Sequence, residues 1–154
     1  MFSIRILPLT RETLEYAVYG APERQAVISI MDHARDCAVR YPAPRVMRLC
    51  FQDAQGAWGK QNLITAEQAE AVRDFVLRYR GGIDVLTVQC TEGVSRSAAV
   101  AAAVLAGLGE SDALIWNDPR YRPNLLVYNV VCAAFKNGED DKTPGKTGHA
   151  GGKI

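Results

Sequence analysis

The feature that most constrains the fold of this chain is a short polar run, residues 89 to 97 (QCTEGVSRS), together with its two flanks. An apolar, β-branched run, Ile83 to Val88, enters it, and an alanine-rich run, Ala98 to Gly107, leaves it. A strand that leads through a tight loop into a helix directs backbone N–H groups and a helix N-terminus at one point. The segment therefore predicts a strand–loop–helix unit that binds an anion.

Cys90 and Arg96 stand at the two ends of this loop, in the spacing C-x5-R. The helix N-terminus and the guanidinium both favour the thiolate form of a cysteine placed there. The same guanidinium can bind two oxygens of a phosphate in a bidentate clamp. A thiolate that faces a bound phosphate is a nucleophile able to form a cysteinyl-phosphate. The pattern indicates a phosphatase that needs no metal and no cofactor.

Strand-like and helix-like segments alternate along the rest of the chain. Apolar runs predict strands over Ser3–Leu9, Ala26–Met31, Val46–Phe51 and Ile83–Val88. Helices are predicted after Thr10, after the capping box that starts at Thr65, over Ala98–Gly107, in a short turn after Ser111, and from Pro123 to about Phe135. This alternation predicts a single α/β domain with a mainly parallel central sheet flanked by helices. The loop would lie at the carboxyl end of a strand, where such sheets bind ligands.

Composition restricts the alternatives. A chain of 154 residues is the size of one domain, and a net charge of +1 argues against nucleic acid or an anionic membrane as a partner. No apolar run approaches the roughly 20 residues of a membrane span. The four cysteines are scattered and only two histidines are present, which favours a reducing, cytoplasmic location and leaves few ligands for zinc. Residues 1–136 are predicted to form the domain, and residues 137–154, with little apolar content, a disordered tail.

The loop resembles that of the cysteine-dependent protein tyrosine phosphatases, most closely their small dual-specificity branch. The family signature is H-C-x-x-G-x-x-R-[ST], and Cys90, Gly93, Arg96 and Ser97 match it in spacing. The stretches LCFQD, residues 49–53, and PNLLVY, residues 123–128, look like segments of small predicted phosphatases of bacteria and phages. The similarity spans roughly residues 25 to 136. It implies a tyrosine phosphatase-like fold and a phosphorylated protein or peptide as the substrate.

The resemblance also implies a role for each loop residue. Cys90 is the nucleophile, Arg96 holds the phosphate, and the hydroxyl of Ser97 helps the thiolate leave. The phosphate would be bound by the backbone amides of Thr91, Glu92, Gly93, Val94, Ser95 and Arg96, with Gly93 at a turn that a Cβ would obstruct. A general acid is expected on a loop after an earlier strand. Asp53 is the favoured candidate, and Asp32 is its rival.

Three positions depart from the family pattern. Gln89 stands where the family has a histidine that helps to ionise the cysteine, Glu92 adds a negative charge within the loop, and Val130 and Val131 lie where a glutamine is common. These departures leave open a second reading, a phosphate-binding pseudoenzyme that recognises phosphoproteins. Sulfur or arsenate chemistry, and a Cys/His hydrolase using His33, are weaker alternatives. Members of the family that act on inositol lipids usually carry further basic residues in this loop, whereas here Arg96 is its one basic residue. The resemblance therefore implies phosphotyrosine, with phosphoserine and phosphothreonine as further candidates, as the substrate. The oligomeric state stays open.

Overall fold

A parallel β-sheet forms the centre of the fold. The computed structural model describes residues 2–8, 22–33, 45–54 and 62–141, and all statements below concern these residues. Four strands, β1 (Ser3–Pro8), β2 (Gln25–Met31), β3 (Arg45–Cys50) and β4 (Val85–Cys90), form one sheet in the order β1-β4-β2-β3. All three strand pairs are parallel. The predicted α/β class and all four predicted strands are confirmed, with ends that differ by one or two residues.

Four α-helices flank the sheet: α1 (Ala66–Tyr79), α2 (Arg96–Gly107), α3 (Ala113–Trp116) and α4 (Leu125–Asp141). The capping box predicted at the start of α1 is confirmed. The Gln68 backbone N–H donates to Thr65 Oγ1 at 3.1 Å, and the Thr65 N–H donates to Gln68 Oε1 at 2.9 Å. Two N–H groups that a helix start leaves without partners are thereby satisfied.

The last helix differs from its prediction at both ends. It begins two residues after Pro123, because the side chain of Asn124 caps it by accepting the Val127 N–H at 3.1 Å. It continues to Asp141, and so extends five residues into the segment predicted as a tail. An established helix adds residues at low cost even where the sequence is polar. Arg73 of α1 also supports this part by donating to the Ala134 carbonyl at 3.0 Å. Residues 142–154, and the helix predicted after Thr10, lie outside the described part of the chain.

The core explains why α2 is rich in alanine. Residues 96 to 104 of α2 are all buried, because the helix packs against β1 and β4 and also against α4. Small side chains allow this close approach on several sides. At Gly107 a Cβ would come within 2.3 Å of the Phe135 ring, so the two helices touch there without a side chain between them. Strand β2, central in the sheet, is buried at every position.

The parallel strands place three chemically useful residues at one edge of the sheet. Asp32 directly follows β2, Asp53 follows β3 by three residues, and Cys90 ends β4. Carboxyl ends of parallel strands lie together, and ligands of open α/β sheets bind there. None of the described helices is long and apolar enough to span a membrane.

Candidate active site

The loop between β4 and α2 depends on Gly93. Its φ of +68° lies in the left-handed region, and a Cβ on it would lie 2.5 Å from the Pro8 nitrogen and 2.8 Å from the Leu7 carbonyl carbon. Both the backbone conformation and the space therefore require glycine. The prediction that a Cβ would obstruct the turn at this position is confirmed.

Two hydrogen bonds orient the second half of the loop. The carbonyl of Val94 accepts from the Arg122 N–H at 2.9 Å, and that of Ser95 accepts from the Asn124 N–H at 3.2 Å. In a trans peptide the carbonyl and the amide point in opposite directions, so the Ser95 and Arg96 N–H groups are directed away from the segment 122–124. Ser95 occupies the N-cap of α2 without a capping hydrogen bond from its side chain. The helix start therefore presents amides that a bound anion can satisfy.

Cys90, the last residue of β4, lies at the start of the loop and is 2% exposed. The backbone N–H of Gly93 donates to its Sγ over 3.3 Å, and Ser97 Oγ lies 3.1 Å from the same sulfur. An amide and a hydroxyl next to sulfur are groups that can donate to a thiolate. The structure thus brings Cys90 together with Ser97, as the signature predicts.

Arg96 is 5% exposed and fixed at the inner wall of the loop. Its Nη1 donates to Asp32 Oδ1 at 2.6 Å and to the Phe51 carbonyl at 2.8 Å, and its Nη2 lies 3.5 Å from Thr91 Oγ1. Its Nε, although buried, has no acceptor among the described residues. A buried donor without an acceptor is costly, and a phosphate oxygen is the kind of group that would satisfy it.

Asp53 is held by two donors on one oxygen. Ser95 Oγ and Asn124 Nδ2 both donate to Oδ1 at 2.8 Å, and Oδ2 accepts no hydrogen bond from a described residue. One oxygen therefore fixes the carboxyl group, and the other can carry a proton. The hydroxyl of Ser95, which does not cap α2, serves here to position Asp53.

Asn124 is the residue of this site to which the sequence analysis assigned no role. Its side chain is almost fully buried, donates to Asp53 and to the Ala54 carbonyl (3.1 Å), and caps α4 through its oxygen. An asparagine directly before an apolar helical run is a typical N-cap. That signal predicts the cap; only the folded chain reveals the contact with Asp53.

These residues surround a cavity of about 210 Å³. Its lining comprises Asp32, Asp53, Cys90, Thr91, Glu92, Ser95 and Arg96. Both candidate acids are therefore present, Asp32 as the ion-pair partner of Arg96 and Asp53 opposite Ser95. His33 is exposed and does not line the cavity. Within the described ranges no three His, Cys, Asp or Glu side chains are grouped so as to hold a metal ion.

The residues that depart from the family pattern lie in different environments. Gln89 is buried, and its Oε1 accepts from Ser29 Oγ at 2.6 Å, which links β4 to β2 beneath the loop. Val131 lies in the hydrophobic core, with Val130 packed against it. Glu92 is exposed, and no described residue donates to its carboxylate.

Comparison with solved structures identifies the architecture. A structure of PTPMT1 in complex with PI(5)P matches with a TM-score of 0.63 at 15% identity, covering 92% of this chain and 95% of that one. The parallel sheet and its flanking helices therefore have the protein tyrosine phosphatase fold. Human DUSP28 matches with a TM-score of 0.61 at 16% identity over 92% and 97% of the two chains. The PTP-2 phosphatase of Cydia pomonella matches with 0.59 at 14% over 85% and 84%.

The similarity thus extends over most of the chain, whereas sequence identity to these phosphatases is low. No protein-family model matches the sequence, and no match is found among curated proteins. This chain therefore has the fold of the small dual-specificity and tyrosine phosphatases, as the loop motif predicted.

Proposed function

We propose that this chain is a cysteine-dependent phosphatase that hydrolyses phosphate monoesters on proteins through a cysteinyl-phosphate. The arrangement around Cys90 carries the proposal. Its sulfur receives the Gly93 N–H and lies beside Ser97 Oγ, and it shares one cavity with Arg96 and Asp53. A nucleophile, an anion clamp and a carboxylic acid thus meet at the start of a helix.

In the first step the Cys90 thiolate attacks phosphorus in line with the leaving oxygen. The S–P bond forms as the P–O ester bond breaks. The equatorial oxygens receive hydrogen bonds from the loop amides of residues 91 to 96 and from Arg96. Donors that belong to one short loop would need little reorganisation to stabilise the developing charge.

Asp53 protonates the leaving oxygen. Its Oδ1 is fixed by Ser95 and Asn124, and its Oδ2 is available to carry the proton. Asp32 is less suited, because its carboxylate is already the counter-ion of Arg96 at 2.6 Å. This contrast favours Asp53 over Asp32 as the general acid.

The second step releases phosphate. Asp53, now ionised, accepts a proton from a water molecule, whose oxygen bonds to phosphorus as the S–P bond breaks. The Ser97 hydroxyl, 3.1 Å from the sulfur, donates to the departing thiolate. The enzyme returns to its starting state with no metal or cofactor consumed.

The charges of the site favour a protein phosphate over a polyphosphorylated lipid. PTPMT1 is seen with a phosphoinositide. In this chain Arg96 is the one basic residue among the described residues lining the cavity, and three acidic side chains surround it. A ligand with several phosphates would meet few cations there. We infer a singly phosphorylated side chain, with phosphotyrosine first and phosphoserine or phosphothreonine next.

A phosphate-recognition module with slow turnover is the second candidate. The ion pair between Arg96 and Asp32 favours it, because the guanidinium has to share its charge between Asp32 and a phosphate. Single-turnover phosphate release separates the two functions. A rate no faster than that of a protein-free control would favour recognition alone.

The decisive experiment compares wild type with Cys90→Ser on an aryl phosphate. Serine keeps the amide cradle but loses the reactive thiolate, so turnover should fall by at least ~10⁴-fold, in line with the loss of other enzyme nucleophiles. Acid quenching of wild type with ³²P-labelled substrate should trap a phosphorylated Cys90. Turnover of Cys90→Ser within tenfold of wild type would exclude this mechanism.

A further inference from the structure

The cavity beside Cys90 carries an unusual balance of charge. Among the described residues, three acidic side chains, Asp32, Asp53 and Glu92, line it with one basic side chain, Arg96. A phosphate-binding pocket ordinarily gains from positive potential. The excess of acid is therefore a cost to the binding of phosphate, unless the substrate itself brings a positive charge.

The roles of the three acids differ. Asp32 neutralises Arg96 through Oδ1. Asp53 carries a proton when it acts as the acid, and is then uncharged. Glu92 is exposed, no described residue donates to it, and it lies two residues from Cys90. No described residue therefore compensates its charge at the cavity.

A second observation points to an anion in the same place. Arg96 is 95% buried and lines the cavity, yet its Nε has no acceptor among the described residues. The described part of the site therefore offers a donor for a phosphate oxygen at its inner wall and, at its exposed side, a carboxylate that none of these residues pairs. An ester that has a phosphate and a cation side by side satisfies both.

We propose that Glu92, assisted by the exposed side of Asp32, selects phosphopeptides with a lysine or arginine directly beside the phosphorylated residue. This inference rests on the proposed phosphatase activity and deepens it. The lysine or arginine would pair with the Glu92 carboxylate as the phosphate enters the loop. An acidic neighbour would meet like charge instead.

The size of the expected preference for basic peptides follows from the exposure of the charged side chains. Exposed ion pairs contribute about 0.2–1 kcal/mol, which corresponds to at most about fivefold each. A basic peptide gains this attraction and an acidic peptide suffers the corresponding repulsion. Together they predict a preference of about tenfold in kcat/KM, which decreases as salt screens the charges.

The test uses three phosphotyrosine peptides that are identical except for lysine, glutamine or glutamate on both sides of the phosphotyrosine. Wild type should favour the lysine peptide over the glutamate peptide about tenfold at low salt. Glu92→Gln should reduce this ratio to about threefold, and Glu92→Lys should reverse it. Glu110→Gln is the matched control, because Glu110 is exposed beyond the far end of α2 and should leave the ratio unchanged.

Additional measurements distinguish a failure of this inference from a failure of the proposed phosphatase function. Activity on p-nitrophenyl phosphate with a lysine-to-glutamate ratio of one or below would overturn the inference and leave the phosphatase function standing. An unchanged ratio in Glu92→Gln would overturn the role of Glu92. No turnover of any substrate would instead contradict the proposed function. Faster hydrolysis of a short-chain phosphoinositide or of phosphoethanolamine than of the lysine peptide would assign the site to a lipid or a small zwitterionic ester, against the proposal.

Discussion

The two ends of α2 use the same helix in opposite ways. At its N-terminal end the loop is polar: hydrogen bonds within the loop hold Cys90, and bonds to distant parts of the chain hold Val94 and Ser95. At its C-terminal end the helix packs against α4 through apolar contacts. One end positions reactive groups, and the other anchors the helix. A rigidly packed helix is a suitable base for a loop whose geometry must be exact to within about 0.5 Å.

Gly93 and Gly107 illustrate this difference between the two ends of α2. Gly93 has a positive φ, and backbone atoms of Leu7 and Pro8 surround it. Gly107 has helical backbone, and its close neighbour is the side chain of Phe135. A side-chain ring can shift, whereas a strand backbone within a sheet cannot shift without loss of its hydrogen bonds. The same substitution should therefore have different consequences at the two positions.

Gly93→Ala should have the largest effect. Alanine is strained at a φ of +68°, and its Cβ would lie 2.5 Å from the Pro8 nitrogen. We expect a loss of about 2–4 kcal/mol in the free energy of unfolding and at least ~100-fold in kcat/KM. Urea denaturation and aryl phosphate turnover measure the two. Activity within threefold of wild type would mean that the loop tolerates another conformation.

The variant Asn124→Asp addresses the polar region alone. Aspartate can still cap α4 through an oxygen, but it cannot donate to Asp53 and repels it. Because Asn124 is buried and also donates to the Ala54 carbonyl, we expect a loss of about 2–4 kcal/mol in the free energy of unfolding. Hydrolysis of phosphopeptides, whose leaving groups need a proton, should be roughly tenfold slower. An activated aryl phosphate should be affected much less.

Asn124→Ala is the matched comparison, because it removes the cap as well as the donor. It adds no charge beside Asp53, so it should lose less, about 1–2 kcal/mol in the free energy of unfolding. Equal losses on activated and unactivated substrates in Asn124→Asp would indicate that Asn124 does not act through Asp53.

Gly107→Ala should have the smallest effect on activity. Its Cβ meets the Phe135 ring at 2.3 Å, so the ring has to move and the helices have to separate slightly. We expect a loss of about 1–3 kcal/mol in the free energy of unfolding, with kcat/KM within about twofold of wild type when folded protein is assayed. A loss of activity comparable to that of Gly93→Ala would show that the packing of α4 sets the geometry of the loop.

Much of the fold could be predicted from local patterns. The strands, the capping box at Thr65, the loop and the helix after it each depend on residues close in sequence. Gly93 belongs to the same class, since a turn with a positive φ favours glycine.

The end of α4 shows where local reasoning fails. Polar composition after Phe135 predicts a tail, yet the helix continues to Asp141. Contacts of its preceding turns with α1, such as that between Arg73 and Ala134, hold the helix at this point. The composition of a segment shows how much apolar surface it can bury. It does not show whether a stable preceding helix will extend into that segment.

The sequence by itself determined the composition of the loop, because Cys90, Gly93, Arg96 and Ser97 lie within eight successive residues. The tertiary structure decided which distant polar residues border the loop. Asp32, Asp53 and Asn124 lie 64, 42 and 29 positions in sequence from the loop residues they contact or approach (Arg96 and Ser95). The parallel order of the strands and the return of the chain before α4 bring them together. Such pairings depend on sheet order and helix packing, which no local pattern encodes.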